Sequence, residues 1–243
     1  MKTISQKELK EILDKHRQWL ASPTDGGRMD LSKASLQNVN LCNVDLQYAK
    51  LDGVNLSGAN LQGAKLNNAS LRNADLRCAD LSYAKLQGVD LQGADLQNTV
   101  LWCTNLCGAN LQYTDFKYTD MKGANLSYAN LRKANLSHTY LKDADLSHAY
   151  LKDAILHDVD LRSVNLEGAY GEQDTERRIK KMTNYEYIKT LSQDELVVFI
   201  MTELTMAFKD ILDETIRCWN DDEQSSTSLK MWKNWLNEQH EEK

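Results

Sequence analysis

Leucine returns at every fifth residue from Leu31 to Leu166, and of the 28 positions in that series only Phe116 and Met121 are not Leu. Two residues before each centre, from Ala34 to Val164, stand 16 Ala, six Val and five Thr, and nothing larger. The three positions between are mostly polar. Neither regular element buries such a pattern. A helix turns about 100° per residue, so a step of five would carry the Leu stripe round by about 140° per repeat. A strand alternates faces, so an odd period would send successive Leu side chains to opposite sides. A short extended piece that buries i−2 and i, followed by a corner that resets the phase every five residues, accounts for both rows.

The corner has its own signature. All eight glycines between Leu31 and Ala169 fall at i+2, and Asn38, Asn43, Asn68, Asn73 and Asn98 share that slot. Gly and Asn tolerate the positive φ of a type II turn, so a turn is predicted once per repeat. The single proline, Pro23, lies outside the repeat, as expected if each coil donates backbone N–H groups to its neighbour.

Segments such as Ala59-Asn60-Leu61-Gln62-Gly63, Ala74-Asp75-Leu76-Arg77-Cys78 and Ala94-Asp95-Leu96-Gln97-Asn98 follow the A(D/N)LXX pattern, and residues 29–170 resemble the pentapeptide-repeat family. The resemblance implies a mainly β fold, a right-handed quadrilateral parallel β-helix with four pentapeptides per coil. Seven coils at about 4.8 Å per layer give a rod roughly 34 Å long. Each buried centre contributes on the order of 1.5 to 3 kcal/mol, so the Leu ladder is the main source of stability. Phe116 and Met121, successive centres, are expected to mark a local irregularity in the bore.

A solenoid exposes its core at both ends and needs caps. Residues 1–28 supply one. Ser5 and Glu8 have capping-box spacing, and Leu9, Ile12, Leu13, His16 and Leu20 recur at helical intervals over residues 5–20. His16 on that apolar face reads as a packed, hydrogen-bonded cap residue rather than a ligand. Residues 171–243 form the third region. Ser192 and Glu195 open a second amphipathic pattern of about 27 residues, and a short last helix follows a loop. Phe199, Ile200, Leu204, Phe208, Ile211 and Leu212 on the long helix are candidates for capping the rod or for a homodimer contact, which the resemblance to topoisomerase-directed pentapeptide-repeat proteins also implies. Residues 182–188, with Trp235 to Glu238, resemble small cysteine-rich phage proteins, which implies a phage or prophage origin and no chemistry.

Charge and cysteine usage narrow the classes. The net charge of −6 divides as +2 on residues 1–28, −2 on the rod and −6 on residues 169–243. An acidic surplus argues against general binding to nucleic acid or membrane surfaces. No apolar run of about 18 residues is present to span a membrane, and the first 20 residues are too charged for a secretory signal. Five cysteines without a CxxC pair point to a reducing compartment, hence the cytoplasm, and not to zinc.

No cofactor is implied and no catalytic motif stands out. Ser137-His138 and Ser147-His148 are adjacent pairs, but a convex rod supplies no pocket around them. The expected function is therefore non-enzymatic protein binding. Some members of the resembled family confer fluoroquinolone resistance by imitating B-form DNA at gyrase. A rod of −2 is far from the roughly 20 charges of a duplex of that length, so any mimicry here belongs to one face. A period of 20 stacks Asp75, Asp95 and Asp115 in one column, with Arg77 and Lys117 on the same face to neutralise them. Trp102, with Tyr83 and Tyr140, is the aromatic contact candidate, and Lys33, Arg72, Arg132, Lys133 and Lys152 share a further face. Two readings stand: an inhibitor or modulator of a DNA-processing protein, such as a topoisomerase or a CRISPR effector met by a phage, and a structural scaffold that dimerises through its C-terminal helices with no DNA-related partner.

Overall fold

The computed structural model describes residues 2–23 and 27–171. From Asp30 to Tyr150 the i−1 residues, Tyr140 excepted, form parallel bridges with the residue 20 positions later, as in Asp30↔Lys50, Asp75↔Asp95 and Tyr150↔Tyr170. Twenty residues, or four pentapeptides, therefore make one coil of a parallel β-helix. The centre Leu side chains from Leu36 to Leu151, together with Phe116 and Met121, are fully or almost fully buried.

The backbone accounts for itself residue by residue. From Leu31 to Leu136 the centre N–H and the i+2 N–H donate to the coil above, as in Leu56 to Asp75 at 2.7 Å and Gly58 to Arg77 at 2.8 Å. The i−1 N–H donates to the coil below, as in Asp75 to Val54 at 2.9 Å. The next i−2 N–H closes the turn onto the centre carbonyl, as in Ala59 to Leu56 at 3.0 Å. Of the 28 residues at i+2, 27 have positive φ, so the predicted type II corner is present at all but Ser163. Nineteen of those residues are not glycine. Closure of the turn by stacked coils overrides a left-handed penalty of roughly 1–2 kcal/mol at each.

One N–H per repeat is left, that of i+1, and wherever i−1 is Asp or Asn its side chain takes it. All 19 Asp and Asn residues at i−1 accept this N–H, at 2.9 to 3.4 Å. The polar letter of the repeat is thus a backbone partner in an Asx-type turn.

The five inward threonines are satisfied in a related way. The hydroxyls of Thr99, Thr104, Thr114 and Thr119 donate to the carbonyls of Leu76, Leu81, Leu91 and Leu96 on the coil below, at 2.8 to 3.2 Å. Thr139 donates to Leu136 within its own turn. Beside Phe116 the bonds from Thr114 N–H to Leu111 and from Tyr118 N–H to Ser137 lengthen to 3.4 Å, which is the whole extent of the expected irregularity. Phe116 is taken up by stretching two bonds, and the ladder runs on.

The N-terminal segment covers the first coil. Strand β1 (Lys2–Thr3) pairs in parallel with β2 (Ala34–Ser35), occupying the ladder position that a preceding coil would fill. This pairing has no sequence signal. Helix α1 (Gln6–Ala21) follows, with Ser5 and Glu8 forming the capping box: Ser5 N–H donates to Glu8 Oε2 at 2.9 Å and Glu8 N–H to Ser5 Oγ at 3.2 Å. These bonds hold the Glu8 carboxyl below its ordinary value, chiefly through the Ser5 backbone. Leu9 is buried in the core, with Ile12 and Leu13 packed against it.

His16 is the anchor of this cap. Its Nδ1 accepts the Met29 N–H at 3.1 Å, so Nε2 carries the hydrogen and donates to the Gln47 carbonyl at 3.1 Å. The ring stacks on Trp19 with centroids 5.6 Å apart. Burial lowers its pKa, against a smaller opposing effect from the Gln47 bond.

Candidate interaction surface

The stack of coils brings Asp75, Asp95 and Asp115 into register, one above the next. Each carboxylate is held by its own turn: Oδ1 of Asp75, Asp95 and Asp115 accepts the N–H of Arg77, Gln97 and Lys117 at 3.2, 3.1 and 3.1 Å. Arg77 grips Asp75 with Nε at 2.9 Å and Nη2 at 2.7 Å, and its Nε lies 3.6 Å from Asp95. Gln97 Nε2 donates to Asp95 at 3.4 Å and to Asp115 at 3.2 Å. The column is stitched by one guanidinium and one amide. Gln97 fills the place expected of Lys117, which makes no salt bridge among the described residues. The Arg77 hydrogen bonds hold the Asp75 carboxyl below its usual value, against the opposing effect of burial.

Tyr83 and Trp102 meet through the backbone, with Tyr83 N–H donating to the Trp102 carbonyl at 2.8 Å. Tyr140, two coils along the rod from Trp102, bridges to Asp120 on the coil next to its own. Trp102, Tyr83 and Tyr140 expose 45%, 59% and 49% of their surfaces, so all three are available to a partner. The sequence reading missed the regular stacking of rings at the corners. Tyr118 lies on His138 with centroids 5.0 Å apart and planes at 6°, and Tyr128 lies on His148 at 4.8 Å and 15°. The signal was present as Tyr and His 20 residues apart in one slot.

These contacts occupy the histidine of each Ser-His pair. The Ser137 hydroxyl donates to Asn135 Oδ1 at 2.7 Å, while the His138 ring sits on Tyr118 with Nδ1 3.6 Å from Asp158. Among the described residues no three His, Cys, Asp or Glu side chains are grouped to hold a metal ion, and no helix is long and apolar enough to cross a membrane. Phe199, Ile200, Leu204, Phe208, Ile211 and Leu212, and residues 182–188, lie outside the described residues.

With five-residue corners, inward Leu and a 20-residue coil in place, the sequence matches the family of pentapeptide repeats over residues 28–63, 55–93, 90–127 and 129–168. The chain belongs to the pentapeptide-repeat family. Among solved pentapeptide-repeat structures, HetL of the cyanobacterium Nostoc sp. strain PCC 7120, involved in heterocyst differentiation regulation, is 30% identical. That alignment covers 68% of this chain and 92% of HetL, with a TM-score of 0.29. A pentapeptide-repeat protein of the Arabidopsis thaliana thylakoid lumen is 35% identical over 43% of this chain and 69% of its own, with a TM-score of 0.30. QnrB1, a plasmid-mediated fluoroquinolone resistance protein, is 22% identical over 63% of this chain and 86% of its own, with a TM-score of 0.42. Among curated proteins none is significantly similar in sequence.

Proposed function

We propose that this pentapeptide-repeat protein is a non-enzymatic interaction protein whose rod, taken as right-handed and seven coils long over residues 29–170, engages a DNA-processing protein as a partial DNA mimic. The observation that carries this reading is the register of Asp75, Asp95 and Asp115, three carboxylates on consecutive layers of a rigid ladder. Such layers are about 4.8 Å apart. Trp102, Tyr83 and Tyr140 supply aromatic contact area for the same partner. Residues 171–243, with Phe199, Ile200, Leu204, Phe208, Ile211 and Leu212, associate with a second copy in this reading.

The test is affinity capture from a bacterial lysate, followed by a gyrase supercoiling assay and a CRISPR-nuclease protection assay on the purified chain. Inhibition or protection that is lost in the Asp75→Asn/Asp95→Asn/Asp115→Asn variant supports the proposal. Recovery of no DNA-processing protein, with both activities unchanged, overturns it. A second reading, a scaffold with no DNA-related partner, is favoured by one observation: the three carboxylates are already engaged by Arg77, Gln97 and their own turns.

A further inference from the structure

The coil repeat assembles a second surface that the acidic column does not include. Arg132 and Lys152 fall in one slot on consecutive coils, with Gln112, Gln92 and Arg72 continuing that slot down the rod. Every one of these five side chains ends in an N–H donor. Beside them Lys133 sits one coil above Tyr113, its Nζ 5.5 Å from the ring centroid. Tyr150 stands on the same face and packs edge-on against Tyr170 at 6.4 Å. Tyr113 and Tyr150 are about half exposed, at 54% and 50%.

The charge on this face is local and of the opposite sign to the rod. Its outward residues from Asp30 to Asp153 comprise six cations and four carboxylates, a net +2 on a rod of −2, so the other faces together carry −4. Between residues 110 and 153 the charged residues of this face are Arg132, Lys133, Lys152 and Asp153. Arg72, lower down, is matched to Asp90 at 3.7 Å. Tyr113 and Lys133 both sit at corner positions with φ of 59°, which fixes the direction of their side chains.

We propose that the face formed by Tyr113, Arg132, Lys133, Tyr150 and Lys152 docks an acidic segment of a protein partner. Three clustered cations between exposed aromatic rings suit a short run of carboxylates, because the rings shed water at little entropic cost while the cations set orientation. A nucleic acid fits less well. Binders that track a phosphate backbone neutralise about six to ten phosphates, and this patch offers three cations beside faces of net −4. The inference concerns a different face from the acidic column, so it stands or falls separately from the DNA-mimic reading.

The experiment measures fluorescence anisotropy of a labelled oligoglutamate peptide and of a labelled oligothymidylate with the full chain, at low and physiological salt. The expected result is salt-sensitive binding of oligoglutamate that weakens by about tenfold or more in Arg132→Glu/Lys133→Glu/Lys152→Glu. Lys122→Glu/Lys142→Glu, on another face, should leave it unchanged. Arg132→Gln and Tyr113→Ala, which keep the backbone pattern, should each weaken it in a chain whose thermal melt is intact. Tighter binding of oligothymidylate would assign the face to nucleic acid and overturn the proposal. Equal loss in the Lys122/Lys142 variant, or no peptide binding by the wild-type chain, would also overturn it.

Discussion

Arg77 and Asp75 form a two-pronged ion pair within one turn, Nε to Oδ1 at 2.9 Å and Nη2 to Oδ2 at 2.7 Å, and the same guanidinium reaches Asp95 on the next coil. A column of carboxylates that would otherwise repel is thereby held at fixed spacing. The pair is about half exposed on its arginine side, so its own contribution to stability is small.

Asp95 at the i−1 slot serves the backbone before it serves any partner. Asp95→Asn keeps an oxygen to accept the Gln97 N–H and should melt within a few tenths of a kcal/mol of wild type, whereas Asp95→Ala should cost about 0.5–1.5 kcal/mol. Thermal or urea melts of the two variants check this. Equal costs would mean that the turn bond contributes nothing.

The pH dependence of stability should carry the mark of His16. Its folded pKa lies below the unfolded value of about 6.5, so its contribution is complete above that pH and is lost as the pH falls toward the folded value. Protonation would place a hydrogen on Nδ1 opposite the Met29 N–H. Urea midpoints of the wild-type chain should drop between pH 7.5 and 5.5, and His16→Gln should be less stable at pH 7.5 by about 1–3 kcal/mol with a flatter profile over that range. Asp75, held low by Arg77, acts in a separate window: its contribution is present above the ordinary carboxylate range and is lost as the pH falls through its lowered folded value.

Two corner glycines should separate backbone strain from crowding. Gly58 and Gly108 share positive φ, 67° and 66°, but a Cβ at Gly58 would lie 2.2 Å from Asn38 Oδ1, while none of the surrounding atoms comes within 4 Å at Gly108. Gly108→Ala should cost only the left-handed penalty, about 1–2 kcal/mol. Gly58→Ala should cost more, and Asn38→Ala in the same chain should recover the difference. A double-mutant cycle on thermal melts measures it.

Leu96→Lys tests the ladder itself. Leu96 is fully buried in mid-rod, and an unpaired ammonium there should cost several kcal/mol and unfold neighbouring coils together. Circular dichroism melts should show an early or split transition. An unchanged cooperative melt would contradict the stacked core.

The sequence alone determined the repeat: a five-residue period can bury Leu and a small partner only if the chain turns once per period, and Gly and Asn at i+2 mark where. It also determined helix α1 and its capping box, because those signals are local. The tertiary structure decided whatever depends on residues 20 apart. It paired β1 with β2, gave the i+1 N–H to each Asp and Asn, and set Asn38 under Gly58, Tyr118 under His138 and Arg77 between two aspartates. The acidic column was visible as spacing, but its engagement by Arg77 and Gln97 was not, since a side chain's choice between neighbours on two coils follows from rotamer and distance. For the same reason His16 was legible as a cap residue, while the two backbone groups that fix its tautomer emerged only when Met29 and Gln47 were folded against it.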